Sequence, residues 1–229
     1  MRELFCRAIA LFGEEGFARL QRARVAVFGL GGVGSYAAEA LLRAGVGALD
    51  LVDGDCVCAS NTNRQLYALQ STMGRNKAEV AAERARDICP ETKVRAVPRF
   101  FTAETADAFD FSAYDYVADC IDSVQDKVLL LARARAAGAR AVSCMGAGNK
   151  LDPAAFRVAP VERTRVCPLA RVVRRRLREE NVTGVWAVYS EEEPRPLPAG
   201  TDFVGSVSFV PPAAGLVLAG HIVRELAGL

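Results

Sequence analysis

Val25-Ala26-Val27-Phe28-Gly29-Leu30-Gly31-Gly32-Val33-Gly34-Ser35 is the stretch on which the fold of this chain turns. Four apolar residues in a row, after a basic flank, read as a short strand buried on both faces. They run into Gly29, Gly31 and Gly34, a G-x-G-x-x-G turn, and then into YAAEALLRAG, a helical pattern with Gly45 as its C-cap. Residues 48–53 return as a second apolar strand ending in an acid. Residues 25–53 therefore form a strand-turn-helix-strand unit, which should be right-handed with parallel strands.

Working outward, residues 54–76 are polar and irregular, and KAEVAAERARDIC reads as a helix stopped by Pro90. Strands are expected over 93–98, 115–121 and 140–145, with a helix over 125–137. Beyond Gly146-Ala147-Gly148 the pattern loosens. A strand over 155–161, a very basic helix over 168–180 and a strand over 185–190 precede an acidic, Pro/Gly-rich stretch at 191–205. A last strand over 206–210 and an apolar helix after Pro211-Pro212 close the chain. Upstream, the first twenty residues read as one or two short helices broken at Gly13 and Gly16. Strands alternating with helices mean an α/β, Rossmann-like fold: a mostly parallel sheet with helices on both faces and a C-terminal elaboration. With no internal repeat and no second autonomous core, residues 1–229 are expected to form one domain. Residues 1–150 are its nucleotide-binding core and 151–229 an extension on the substrate side.

Composition removes several function classes. Half of the residues are apolar (51%), yet no charge-free run is long enough to span a bilayer. The amphipathic, acid-bearing start MRELFCRAIALFGEEG lacks the basic opening and small-residue cleavage site of a signal peptide, so a cytoplasmic location is expected. A net charge of +2 excludes a general polyelectrolyte binder and confines any nucleic-acid surface to a local patch. The seven cysteines, at 6, 56, 58, 89, 120, 144 and 167, include no C-x-x-C pair, so no zinc is expected and the thiols read as free and mostly buried. Cys56 and Cys58 would share one face as a buried pair. The single histidine, His221, sits in an apolar helical stretch and reads as structural.

The glycine turn has a chemical reading. Glycines permit its backbone angles and let phosphate approach, while the helix start offers unpaired N–H groups and positive potential. Asp53 follows Gly34 at the offset where an acid meets ribose hydroxyls. NAD(H) is the default ligand of such a pattern, but the next residues favour a triphosphate. Asp55, Asn61, Arg64, Gln65 and Lys77 crowd the following segment. Arg64 can fork onto phosphate and Lys77 opens a helix as a point charge. Asp122, past the end of the fourth strand, is placed to hold Mg²⁺, which takes one or two protein carboxylates plus phosphates. Each of these residues alone would read as solvated surface; together with the glycine turn they read as an ATP site. ATP and Mg²⁺ are the expected cofactors.

These residues carry a resemblance. Arg7, GLGGVGS, LVDGD, the S-N-x-N-R-Q run, Gly74 with Lys77, and DCIDS resemble the ubiquitin-activating-enzyme-like superfamily with its ThiF/MoeB-type adenylyltransferases. The resemblance implies that Asp53 binds ribose, and Gly29, Gly31, Gly32, Gly34 and Asp55 are expected beside it as nucleotide-binding residues. It implies that Asn61, Arg64, Gln65 and Lys77 surround the triphosphate, and that Asp122 holds Mg²⁺. It casts Arg7, Arg64, Lys77 and Asp122 as catalytic, with Arg7 reaching across a homodimer. NTNRQ, GRNKAEVAAERARDICPE, IDSVQDK, GAGNKLDP and RTRVCPLARVVRRRLR extend the likeness over nearly the whole chain to one branch, the tRNA threonylcarbamoyladenosine dehydratases. That branch implies ATP-dependent ring closure of a modified adenosine in tRNA. The missing C-x-x-C pairs separate the chain from the sulfur-carrier enzymes, which usually carry two.

Between 163 and 178 lie seven arginines: 163, 165, 171, 174, 175, 176 and 178. Leu169, Val172, Val173 and Leu177 mark the apolar stripe of that helix, so the arginines cover its other face. A charge run is usually a solvated face. Here only Glu179 and Glu180 balance it, and Arg171, Arg174, Arg175 and Arg178 are candidates for contact with the tRNA backbone. Cys167 opens the same helix and, with Cys144, is the candidate for a thioester or a sulfur-transfer partner protein. Two rival functions stand beside the tRNA reading. One is adenylation of a ubiquitin-like sulfur carrier, and the other a non-catalytic nucleotide-binding scaffold or NAD sensor.

Overall fold

The computed structural model describes residues 3–229. Its centre is a seven-stranded sheet in the order β3-β2-β1-β4-β5-β7-β6. The strands are β1 (Arg24–Phe28), β2 (Ala48–Val52), β3 (Lys93–Val97), β4 (Tyr116–Asp119), β5 (Arg140–Cys144), β6 (Phe156–Pro160) and β7 (Val185–Ser190). All neighbours are parallel except β6, which runs antiparallel to β7 at one edge. The register aligns Phe28 with Val52 and with Asp119, so the glycine turn, Asp53 and the turn after β4 leave the sheet at one level. β1 lies between β2 and β4, where strand order reverses and a crevice opens beyond the carboxyl ends.

Two apolar layers sandwich the sheet. On one face α1 (Cys6–Arg22), α2 (Gly34–Arg43), α3 (Lys77–Ile88) and α6 (Val210–Ala227) bury Leu20, Leu41, Val80 and Leu218 against Val25, Val27 and Leu49. On the other, α4 (Val124–Ala136) and α5 (Pro168–Glu179) bury Leu130, Leu131, Val173 and Leu177. An aromatic cluster of Phe28, Phe101, Phe109 and Phe111, with ring centroids 5.3–6.3 Å apart, completes this second layer below the crevice. Local chemistry starts the helices where the site needs them. Asn76 accepts the N–H groups of Ala78 and Glu79 at the head of α3, and Ser123 accepts that of Asp126 at the head of α4. β6 and β7, from the second part of the chain, extend the same sheet, and α6 packs against them and β5 on one side and against α2 and α1 on the other.

Some sequence expectations need correction. Residues 206–210 form no strand: α6 begins at Val210 and takes Pro211 and Pro212 into its first turn, where proline's missing N–H is not needed. β4 is shorter than 115–121, because the chain turns out of the sheet after Asp119. Gly13 breaks α1 with φ 71°, whereas Gly16 lies inside the continuing helix, buried against α6. No helix among the described residues is long and apolar enough to cross a membrane.

Candidate functional site

A cavity of about 760 Å³ opens at the carboxyl ends of β1, β2, β4 and β5. Its floor is the glycine turn. Gly29 has φ +84°, and a Cβ at Gly34 would lie 1.8 Å from the Gly29 carbonyl oxygen, so only glycine lets α2 start this close to β1. The N–H groups of Gly31, Gly32 and Val33, in the turn that leads into α2, have no partner among the described residues, and these residues line the way in. Asp53 is buried beside this turn. Its carboxylate accepts the Leu30 N–H at 2.6 Å and the Asp55 N–H at 2.8 Å. Burial pushes the Asp53 pKa up, against the pull of Lys77 and the two N–H bonds. Each carboxylate oxygen keeps a lone pair, which suits a ribose hydroxyl.

The next wall is cationic. Asn61 is buried, its side-chain oxygen accepting the Cys58 N–H at 3.2 Å. Arg64 donates through Nη1 to the Ser60 carbonyl and the Asn63 side chain, both at 2.9 Å. Its Nε and Nη2 hydrogens are unused among the described residues, which leaves a fork for phosphate. The Gln65 amide lies against Gly31. Lys77 is buried at the first position of α3, where the helix dipole disfavours a cation. Its ammonium is held by Asp55 at 3.0 Å. Arg99, just after β3, adds a further cation to the cavity wall, with no side-chain partner among the described residues. Sequence reading passed over Arg99; its place after a strand end was the available signal.

Asp122 stands opposite, on the turn between β4 and α4. It is exposed to the cavity and makes no hydrogen bond or ion pair among the described residues; Asp126 lies one helical turn on, also on the wall. Among the described residues no group of three or more metal-ligating side chains gathers. Behind this wall sits a second feature that the sequence reading missed. Lys127 and Asp119 are wholly buried and paired at 2.8 Å. The same ammonium donates to Ser143 Oγ at 3.2 Å and to the Cys144 carbonyl at 3.0 Å, and Ser143 donates to Asp119 at 2.6 Å. Asp119 also accepts the Ile121 N–H at 3.1 Å. This knot ties the ends of β4 and β5, which carry Asp122 and Gly146, to α4. Its signal was the D-x₇-K spacing of Asp119 and Lys127, one residue at a strand end and the other in the first turn of a helix.

The thiols divide otherwise than expected. Cys144 and Cys167 are buried, and burial pushes the Cys144 thiol up to about 12. Cys120, on the cavity wall, is also pushed well up by desolvation. Cys56 and Cys58 are exposed, not a buried pair, because they lie on an irregular loop and not on a two-sided strand. A hydrogen bond from Ser60 lowers the Cys58 thiol. His221 is buried between Tyr116, whose hydroxyl lies 3.1 Å from Nε2, and Trp186, 4.8 Å away between ring centroids. Desolvation lowers its pKa. On α5, Arg171, Arg175 and Arg178 are exposed. Arg174 is not free: it donates to the Thr164 carbonyl at 2.6 Å and hydroxyl at 2.8 Å, tying the helix to the loop before it. Arg7 is exposed in the first turn of α1 and does not line this cavity.

Comparison with known proteins matches the ThiF family to residues 5–229 of the chain. The chain is 40% identical to a tRNA threonylcarbamoyladenosine dehydratase of Bacillus subtilis (strain 168), over 99% of its own length and 95% of that protein's. It is 42% identical to the enzyme of that name from Escherichia coli (strain K12), over 78% of its length and 67% of the relative's. Solved structures of the Escherichia coli dehydratase in complex with ATP and with AMP superpose with a TM-score of 0.91 at 37% identity, covering 99% of this chain and 95% of theirs.

Proposed function

Since the chain belongs to the ThiF family, we propose that it is an ATP-dependent, AMP-forming enzyme that adenylates the carboxylate of threonylcarbamoyladenosine in tRNA and closes the side chain into a ring with net loss of water. The observation that carries this reading is one cavity that joins the glycine turn and Asp53 to the cations Arg64, Lys77 and Arg99 and to Asp122. A dinucleotide needs no such cluster; a triphosphate does.

The chemistry follows from the wall. A carboxylate oxygen attacks the α-phosphorus of ATP and the bond to pyrophosphate breaks. Charge builds on phosphate oxygens in that step, and fixed cations that need no reorganisation lower its barrier. Arg64 forks onto the phosphates, and Lys77, pre-positioned by Asp55, adds its charge. Asp53 and the Leu30–Gly34 turn seat the ribose and α-phosphate. Asp122 fits a divalent cation, because its carboxylate has no partner among the described residues and hard oxygen ligands with open positions suit Mg²⁺. Mg²⁺ bound there would neutralise phosphate charge. In the second step a nucleophilic atom of the same side chain attacks the acyl-adenylate and AMP leaves. The attack is intramolecular, so the enzyme contributes orientation and not a nucleophile. The burial of Cys144 and Cys167 agrees with this: neither presents an exposed thiol to a sulfur-transfer partner.

Arg171, Arg175 and Arg178 of α5, with Arg163 before it, supply a face for the tRNA backbone, and residues 151–229 act as the extension on the substrate side. The exposed Arg7 and the exposed apolar Leu4 and Leu11 near it suit a homodimer in which Arg7 serves the partner's phosphates. A tRNA substrate suits a cytoplasmic location. The sulfur-carrier alternative is not favoured, since the relatives that match over most of the chain are the tRNA enzymes. The test is AMP release from ATP with modified tRNA and, separately, with a small carrier protein ending in Gly-Gly. Release with the carrier alone would overturn the tRNA reading.

A further inference from the structure

After β7 the chain runs back across the cavity, and one asparagine holds it there. The Asn149 N–H donates to the Gly205 carbonyl at 2.8 Å, its side-chain oxygen accepts the Gly205 N–H at 2.6 Å, and its carbonyl accepts the Arg195 N–H at 2.7 Å. Asn149 does this at φ 57°, in the left-handed region that asparagine tolerates better than other side chains. Val204 presses so closely on the same turn that a Cβ at Gly148 would sit 2.1 Å from Val204 Cγ1. At the other end Asn63 Nδ2 donates to the Ser206 carbonyl at 3.0 Å, while Asn63 Oδ1 receives Arg64. The segment 204–206 thus spans from the turn after β5 to the phosphate-binding arginine, and both Val204 and Ser206 line the cavity.

Ser206 Oγ is enclosed and has no hydrogen-bond partner among the described residues. A buried hydroxyl left unpaired is unfavourable and uncommon in native proteins. Rotation about χ1 moves a serine oxygen among three staggered positions, so a ligand on the cavity side can recruit it. The ligand is identified by place. Asp53 follows β2, and the turn bearing Asn149 follows β5, three strands further along the sheet order. The nucleoside of ATP belongs to the β2 end, which leaves the β5 end to the group that attacks the α-phosphorus. Val204 and Leu169 give this end an apolar side and Ser206 a hydroxyl, the mixture that suits a short polar acyl chain.

We propose that Val204, Gly205 and Ser206, latched by Asn149, form the wall of the subsite for the carboxylate-bearing substrate, with the Ser206 hydroxyl as its hydrogen-bonding group. Asn149 is a positioning residue and Ser206 a contact residue. The inference rests on the proposed tRNA reaction and adds the residues that read the acyl side chain.

The experiment measures KM for threonylcarbamoyl-modified tRNA and for ATP separately, by AMP formation, in wild type and three variants. Ser206→Ala is expected to raise KM for the tRNA about 3- to 10-fold and to leave KM for ATP unchanged, the size of one net hydrogen bond. Asn149→Gly relieves the backbone angle but loses the latch, so KM for the tRNA rises. Asn149→Asp keeps an acceptor for the Gly205 N–H and retains most of the activity. A purely conformational role at Asn149 would reverse that order, glycine being the better tolerated, and would overturn its assignment. A parallel rise in KM for ATP in Ser206→Ala would place the hydroxyl on the phosphates, and no change in either KM would remove it from the site; both refute the proposal. A wild-type protein that forms no AMP with the modified tRNA overturns the proposed function itself, and this inference with it.

Discussion

Replacing Lys127 with methionine tests the knot behind the site most sharply. Methionine nearly matches the lysine stem in shape but brings no charge. The change deletes three hydrogen bonds, to Asp119, Ser143 and the Cys144 carbonyl. It leaves a wholly buried Asp119 carboxylate supported only by Ser143 and the Ile121 N–H. Breaking one side of a buried ion pair costs about 3–5 kcal/mol, far more than the net worth of the pair itself. For a chain of this size that lowers the melting temperature by roughly 6–20 °C, at about 2–4 °C per kcal/mol. Asp122 and Gly146 leave the sheet from the two strands that the knot joins, so KM for ATP rises as well. Chemical denaturation of Lys127→Met, Asp119→Asn and the double variant supplies a thermodynamic cycle. The double variant should be more stable than Lys127→Met alone, because the uncompensated charge has gone. A single substitution costing under about 1 kcal/mol, or strictly additive losses, would refute the reasoning.

Other outcomes follow from the same geometry. Lys77→Ala should cut AMP formation about 10²- to 10³-fold, the usual loss of one preorganised charge donor, while Asp55→Asn weakens ATP binding less because it only positions Lys77; equal effects in steady-state kinetics would contradict this. Arg171→Glu with Arg178→Glu should weaken tRNA binding and lower the salt slope by about one per lost phosphate contact, with KM for ATP unchanged; an unchanged slope would remove α5 from the interface. The pKa of His221, the chain's single histidine, is held below the ordinary imidazole value of about 6.5, mainly by burial. Acid then favours the unfolded chain, whose imidazole takes the proton first, so stability declines as the pH falls below 6.5 and towards the lower folded-state value. His221→Gln should flatten that decline in denaturation curves; an identical decline would assign it to other groups. Iodoacetamide should label the exposed Cys56 and Cys58 well before the buried Cys144, and Cys144→Ser should keep its AMP-forming activity; a dead Cys144→Ser enzyme that still folds would revive covalent catalysis.

That the glycine turn and Asp53 share one cavity was legible because its signals are local. A strand, a glycine turn, a helix and Asp53 follow one another within thirty residues, and sequence order is nearly spatial order there. Lys77 and Asp122 were legible for a related reason: one opens a helix and the other sits just past a strand end, where α/β proteins place ligands, whereas Arg64, on the loop between β2 and α3, stood out only through its crowded polar segment. The Lys127–Asp119 pair was hidden because it depends on how α4 lies across β4 and β5. Cys56 and Cys58 misled because period two applies only to strands, and this loop forms a single bridge, from Cys56 to Asn76. Residues 206–210 misled because V-S-F-V has strand composition, while Pro211 and Pro212 suit equally the first turn of a helix. Arg174 looked like its neighbours on the helix; only the fold shows that it turns inward to Thr164. The strap over the cavity was not legible at all, since Asn149, Asn63 and residues 204–206 are far apart in sequence.

The most direct test of the whole account uses the intact protein with ATP, Mg²⁺ and tRNA carrying threonylcarbamoyladenosine, followed by digestion and mass spectrometry of the nucleosides. The account predicts AMP and pyrophosphate in step with a modified nucleoside lighter by one water. An unchanged nucleoside mass, from protein that binds ATP under the same conditions, would contradict it.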